Sequence, residues 1–251
     1  MNPLSIGLLV FACVFGAALL GLLLRSALPE HHLNAETKDT VRISMGLIAT
    51  MAALVLGLLV ASARDTYDTE RNEVTQMAAK IAFLDRVLLN YGPESLPARQ
   101  ILRQAVSAAV ARVWSEGESG LAPASPSATM GEALPKAIQK LTPQDDAQRV
   151  FKAQAAAVIA ELGQLRWLLF EQVGAPLCTS LLIGVVVWLA IIFGSVGLFA
   201  PWNSTVLTAL LLAALSVSGA IFLILELDEP FTGLIKISGQ PMLNALSQLV
   251  K

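Results

Sequence analysis

The chain has 251 residues, of which 55% are apolar and only 14% are charged, and its formal net charge is −2. A single water-soluble core of this size does not need so much apolar mass, so part of the chain must face lipid. The near-neutral charge argues against nucleic-acid binding, and Cys13 and Cys178 give no disulfide pattern.

Charged residues are absent from three stretches, residues 1–24, 43–63 and 172–225. A hydrocarbon core of ~30 Å takes about 20 helical residues, so the first two stretches predict spans at about 4–24 and 43–63. The third stretch is long enough for two spans. It divides at the turn 201–204, where Pro201-Trp202-Asn203-Ser204 combines a helix breaker, an interfacial tryptophan and a candidate N-cap. The sequence therefore predicts two transmembrane pairs, in residues 1–63 and 172–225.

The second span is predicted to continue beyond the membrane. From Asn34, a candidate N-cap, to Gly92-Pro93 there is no proline, so one helix of about 57 residues is expected. Its extramembrane half carries apolar residues at steps of three and four, typical of a coiled-coil seam. These residues are Tyr67, Val74, Met77, Ile81, Leu84, Leu88 and Tyr91.

A second long helix is predicted before the third span. Thr142-Pro143-Gln144-Asp145 would open it, with proline at the first helical position, and we expect it to pack antiparallel to the first. Its seam comprises Phe151, Ala155, Val158, Leu162, Leu165 and Leu169.

The remaining extramembrane residues complete an inserted helical domain, 64–171. Shorter helices are expected over 95–114 and 132–141, with a flexible Ser/Pro/Ala/Gly loop at 117–131. The tail 226–251 is amphipathic but interrupted by glycine and proline, so we expect it along the membrane surface or against the domain. No alternation of period two is present, and the fold class predicted is all-α: a polytopic membrane protein with an inserted helical, coiled-coil-like domain.

Four spans place both termini and the domain on one side of the membrane. Near the bilayer that side carries Arg64, Arg71, Arg166 and Lys236, against Arg25, Lys38 and Arg42 in the first loop. The positive-inside rule then favours a cytoplasmic domain.

No ionisable residue lies in the middle of any span, which argues against a proton-coupled carrier. A passive pore needs only hydroxyls and small or apolar residues. The second span offers a stripe of small residues at steps of three and four, and close helix packing is the alternative interpretation. These candidate pore-lining residues are Gly46, Thr50, Ala53, Gly57 and Ala61.

The fourth span carries hydroxyls at Thr205, Thr208, Ser216 and Ser218, which are expected to bond back to their own helix more often than to coordinate ions.

Two polar clusters flank the spans. Glu226, Asp228 and Glu229 follow the fourth span and could ring a pore mouth or simply end the helix. His31 and His32 could hold a metal or sense pH, but a solvated loop is the better interpretation, and no metal site or cofactor is predicted. The common hydrolase, nucleotide-binding and zinc-protease motifs are absent, so no enzyme is predicted.

Three further segments are distinctive: Leu28-Pro29-Glu30-His31-His32-Leu33, the run Gly46 to Leu59, and Leu225-Glu226-Leu227-Asp228-Glu229-Pro230-Phe231. Together they resemble the bacterial bestrophin-like domain membrane proteins. The resemblance covers nearly the whole chain except the 117–131 loop, and it points more distantly to the bestrophins, pentameric anion channels with four-span protomers. Bestrophin pores are narrowed by apolar and aromatic side chains on the second span, and this second span holds no aromatic residue.

The function predicted is a channel-like homo-oligomer of the bacterial inner membrane, with the second span lining a pore for inorganic ions, which the resemblance implies are anions. The alternative is a non-conducting scaffold or signal relay that acts through its helical cytoplasmic domain. The partners expected are the lipid bilayer and further copies of the chain.

Overall fold

The computed structural model describes residues 2–25, 35–114, 128–172, 179–228, 231 and 233–249. All regular structure in these residues is helical, as predicted. The helices are α1 (Pro3–Arg25), α2 (Ala35–Tyr91), a 3₁₀ turn (Pro93–Ser95), α3 (Leu96–Trp114), α4 (Ala128–Gln139), α5 (Asp146–Gln172), α6 (Thr179–Phe199), α7 (Ser204–Asp228) and α8 (Gln240–Gln248).

Four of these helices are long and apolar enough to cross a membrane: α1, α2, α6 and α7. This confirms the predicted number of spans, and the chain is a multi-pass membrane protein. The prediction of one helix of 57 residues is also confirmed, because α2 is continuous. It ends at Tyr91, because Gly92 follows with a φ of 122° that suits glycine alone and Pro93 comes next.

Two predicted helix boundaries are wrong. Helix α5 begins at Asp146, after Pro143, because Asp145 rather than Thr142 caps it: its Oδ1 accepts the Gln148 backbone N–H at 2.7 Å. Helix α4 begins at Ala128, so residues 128–131 of the predicted loop are helical; alanine and methionine favour a helix there despite Gly131. Residues 117–127 of that loop lie outside the described part.

Helix α7 continues to Asp228, three residues beyond the predicted end of the fourth span, since its Glu-Leu residues are good helix formers. Where the span ends within this helix stays a prediction. At its other end the candidate cap is confirmed, because Asn203 Oδ1 accepts the Val206 N–H at 2.7 Å.

The chain forms two compact units. The first comprises Met1–Thr66 and Pro176–Glu229. In it α1 packs on α6 and α7, and the core includes Val14, Ala18, Val185, Ala214 and Ile221. Helix α2 adds Leu59 and Ala63 to that core.

The second unit comprises Tyr67–Ala175 and Pro230–Lys251. Two contacts show that α5 runs antiparallel to α2: Gln148 Nε2 donates to the Tyr91 carbonyl at 3.0 Å, and Lys80 pairs with Glu161. The core of this unit contains seam residues of both helices, with α3 and α8 packed beside them. Its buried members include Val74, Ile81, Leu84, Leu88, Ala155, Val158, Met242 and Ala245.

Candidate pore-lining face

The small-residue stripe lies on an open face of α2. Gly46, Thr50, Ala53, Gly57 and Ala61 are all exposed in the chain. A Cβ atom built on either glycine would meet no atom within 4 Å. The Thr50 hydroxyl donates to the Gly46 carbonyl oxygen at 2.9 Å, so it turns back onto its own helix.

A different face of α2, not the stripe, packs against the other helices of the first unit. Ala52, Leu59 and Ala63 have relative exposures of 2%, 4% and 0%. With 3.6 residues per turn, these residues lie about 140° around the helix from the stripe. Among the residues that the structure describes, the stripe therefore packs closely against no other helix of the chain.

Close packing by small residues occurs elsewhere, between α1 and α6. A Cβ atom on Gly21 would overlap the carbonyl oxygen of Gly194, and one on Gly197 would overlap that of Ala18. The backbones of the two helices thus touch, which only small residues allow. Sequence reasoning missed this contact, although the spacing of Ala18 and Gly21, and of Gly194 and Gly197, carries the signal.

Large apolar side chains cover the part of α2 beside the stripe. Their relative exposures are high, and side chains of this size need lipid or another protein surface against them. These residues are Ile43 (76%), Leu47 (70%), Leu54 (62%) and Leu58 (70%). The free side of α2 thus has a small-residue sector and a bulky apolar sector.

Three of the four hydroxyls singled out on α7 bond within that helix, as predicted. Thr208 donates to the Ser204 carbonyl and Ser216 to that of Leu212, each at 2.9 Å, while Ser218 donates to that of Leu215 at 3.1 Å. Each of these three hydroxyls therefore uses its proton within α7.

The acidic residues after the fourth span differ in their surroundings. Glu226 is buried, with 3% relative exposure, in the last turn of α7, whereas Asp228 is half-buried. Glu229 lies outside the described residues, as do His31 and His32. Among the residues that the structure describes, no group of three or more His, Cys, Asp or Glu side chains is placed to hold a metal ion.

The second unit holds a buried ion pair that sequence reasoning missed. Asp85 Oδ1 accepts from Arg99 Nε at 2.6 Å, and Asp85 Oδ2 accepts from Arg99 Nη2 at 3.0 Å. The hydrogen bonds to Asp85 raise the pKa of the Arg99 guanidinium. The pair joins α3 to α2 across the turn at Gly92. The two residues are 14 positions apart in the sequence, so no local pattern connects them.

The pKa of a second arginine in this unit shifts the other way. Burial, and then the charge of Arg112, lower the pKa of Arg166. Arg166 is nevertheless an arginine, so it stays protonated at neutral pH.

Comparison with known proteins gives one match. The family model described as the bestrophin-like domain matches residues 12–242, which include every described residue of the stripe and most of both units. No curated protein and no solved structure matches the chain.

Proposed function

The chain belongs to the bestrophin-like domain family, and from that premise we propose that it is a channel-like, homo-oligomeric protein whose α2 helices line a pore for small inorganic ions. The family suggests a channel-like membrane protein. The observation that carries the finer proposal is the open small-residue face along the membrane part of α2.

Rotational symmetry gives this face a role. Copies of α2 arranged around an axis can direct their small residues inward, leaving a path that large side chains would close. The bulky sector beside the stripe then packs against a neighbouring copy or lipid. The pore wall needs no charge within the bilayer, in keeping with the lack of ionisable residues in the membrane segments.

The extramembrane helices supply the second part of the proposal. We infer that α2 and α5 form a coiled-coil-like pair that sets the number of subunits, since both bury apolar residues at steps of three and four. The proposed location is the bacterial inner membrane, with the 64–171 domain and both termini in the cytoplasm.

Conductance measurements test the pore. Purified protein in planar bilayers is expected to pass ionic current, and Gly57→Leu is expected to reduce the unit conductance severalfold because the side chain enters the path. Gly16→Leu on α1 is the matched control, since a Cβ atom at Gly16 also meets no atom within 4 Å. It should leave the conductance unchanged.

Oligomeric mass in detergent provides the companion measurement. A ring of four or more copies is expected. A monomer or simple dimer, or a ring that passes no current at any salt concentration, voltage or pH, would contradict the pore. If Gly57→Leu leaves the conductance unchanged while removal of residues 64–171 abolishes function, the scaffold or relay alternative replaces the pore.

A further inference from the structure

Basic residues of two helices lie at the same level of the second unit. Helix α5 runs antiparallel to α2, with Glu161 beside Lys80, and α3 turns back along α2, to which the buried ion pair joins it. Counting along the helices from these contacts, at 1.5 Å per residue, places Arg112 of α3 and Arg166 of α5 within about 5 Å of each other along the helix direction.

Electrostatics and a hydrogen bond support this grouping. Burial, and then the charge of Arg112, lower the pKa of Arg166, so the two guanidinium groups lie close enough to repel each other. The C-terminal segment adds a third cation, because the Trp114 indole N–H donates to the Ile237 carbonyl, directly after Lys236 in the chain. We call Arg112, Arg166 and Lys236 the basic cluster.

The carboxylates of α2 at this level lie on the core side of the unit. Glu70 and Glu73 have relative exposures of 3% and 9%, whereas Arg112 and Lys236 are exposed and Arg166 is half-buried. Among the described residues, the surface around the basic cluster is therefore positive.

Large apolar side chains next to the basic cluster in the sequence are exposed. They are Trp167 (60%), Leu168 (49%) and Leu234 (79%). Spans adjoin both segments along the chain, since α6 follows α5 and the segment that holds Lys236 follows α7. Exposed tryptophan and leucine beside cations are typical of a protein surface that meets the interfacial layer of a bilayer.

We propose that the basic cluster binds the phosphate of an anionic lipid headgroup, while the exposed apolar side chains beside it enter the interfacial layer. Guanidinium groups suit this ligand because their N–H donors match pairs of phosphate oxygens. A bound phosphate also offsets the repulsion between Arg112 and Arg166. Basic clusters close to spans are a known means of holding anionic headgroups. The proposal does not depend on whether α2 lines a pore.

Lipid binding by the full-length protein in neutral detergent tests the proposal. Native mass spectrometry is expected to show phosphatidylglycerol bound more tightly than phosphatidylcholine with the same acyl chains. A basic residue near an anionic membrane surface changes affinity about fivefold, so Arg112→Gln/Arg166→Gln should weaken phosphatidylglycerol binding by about tenfold or more. Arg103→Gln/Arg149→Gln is the matched control, because it removes two exposed arginines from the same two helices. The control should keep the affinity of the unaltered protein.

Unfolding temperatures separate a lipid site from a structural role. Without anionic lipid, Arg166→Gln should not lower the unfolding temperature, since it relieves repulsion from Arg112; a fall would indicate a structural ion pair and overturn the proposal. Equal affinities for the two lipids, or equal losses in the double variant and the control, would also overturn it. Displacement of phosphatidylglycerol by an equal concentration of inorganic phosphate would overturn the assignment to a lipid headgroup in favour of a free anion.

Discussion

Gly21 of α1 lies so close to α6 that a methyl group in place of its hydrogen would overlap the carbonyl oxygen of Gly194. The overlap is with backbone, which cannot move aside as a side chain can. We predict that Gly21→Ala separates the two helices and destabilises the first unit by about 1–3 kcal/mol, the usual range for overpacking. Thermal unfolding in detergent, followed by helical circular dichroism, measures the change.

The neighbouring Gly16 is the control for this substitution. It lies on the same helix, and a Cβ atom there meets no atom within 4 Å. Gly16→Ala should leave the unfolding temperature unchanged or slightly raise it. If the unfolding temperature falls equally in the two variants, helix backbone effects, and not contact with α6, cause the change.

A second prediction concerns the Asp85–Arg99 pair. The side chains are only 11% and 15% exposed, so Asp85→Asn leaves a nearly buried guanidinium without its counter-charge. Breaking a buried pair in this way costs about 3 kcal/mol or more. The free energy of unfolding of the second unit should fall by that order, as measured by denaturant titration of the full chain.

An exposed ion pair provides the comparison. Arg149 pairs with Asp146 on α5, with side-chain exposures of 68% and 93%. Arg149→Gln should cost less than about 1 kcal/mol, since exposed pairs contribute little. A loss for Asp85→Asn no larger than for Arg149→Gln would contradict a stabilising role of the buried pair.

The long helix α2 and the Asp85–Arg99 pair illustrate what could and what could not be predicted from the sequence. The 57-residue helix was predictable because nothing between Asn34 and Gly92 breaks a helix, and span number followed from charge-free length. The Asp85–Arg99 pair was not, because a long-range contact leaves no local pattern. The predicted start of α5 was wrong because two candidate N-caps, Thr142 and Asp145, lie close together in the sequence.

Small-residue spacing also has a limit as a signal. The stripe at Gly46 and Gly57 and the contact at Gly21 and Gly194 look alike in sequence, yet of the two only the second is a contact between the helices that the structure describes. Spacing shows which residues share a helix face, but it does not show what that face meets. Pore lining therefore remains a proposal, for which the open face is the structural support.

A third prediction concerns the attachment of the C-terminal segment. The Trp114 indole N–H donates to the Ile237 carbonyl at 2.9 Å, and a Cβ atom on Gly239 would come within 2.9 Å of the Trp114 ring. Trp114→Phe removes the donor from a buried carbonyl, at a cost of about 1–3 kcal/mol. Gly239→Ala pushes the ring away and should act in the same direction.

Hydrogen exchange measures this effect directly. In both variants the backbone amides of α8 should exchange faster, and trypsin should cut sooner after Lys236, which is exposed. Trp202→Phe is the control, because Trp202 is an exposed tryptophan in the first unit. Unchanged exchange of α8 in Trp114→Phe would show that apolar contacts of Met242 and Ala245 alone hold the segment.

The last prediction concerns orientation in the membrane. Four spans put Lys251 on the same side as the 64–171 domain, and that side carries more basic residues near the bilayer than the loop between α1 and α2. A green fluorescent protein fused after Lys251 should therefore fluoresce in bacterial cells, whereas alkaline phosphatase fused there should be inactive.

A cysteine introduced by Asn203→Cys, in the turn between α6 and α7, should react with a membrane-impermeant thiol reagent added outside the cell. Active phosphatase at Lys251 together with an unreactive cysteine at position 203 would reverse the orientation.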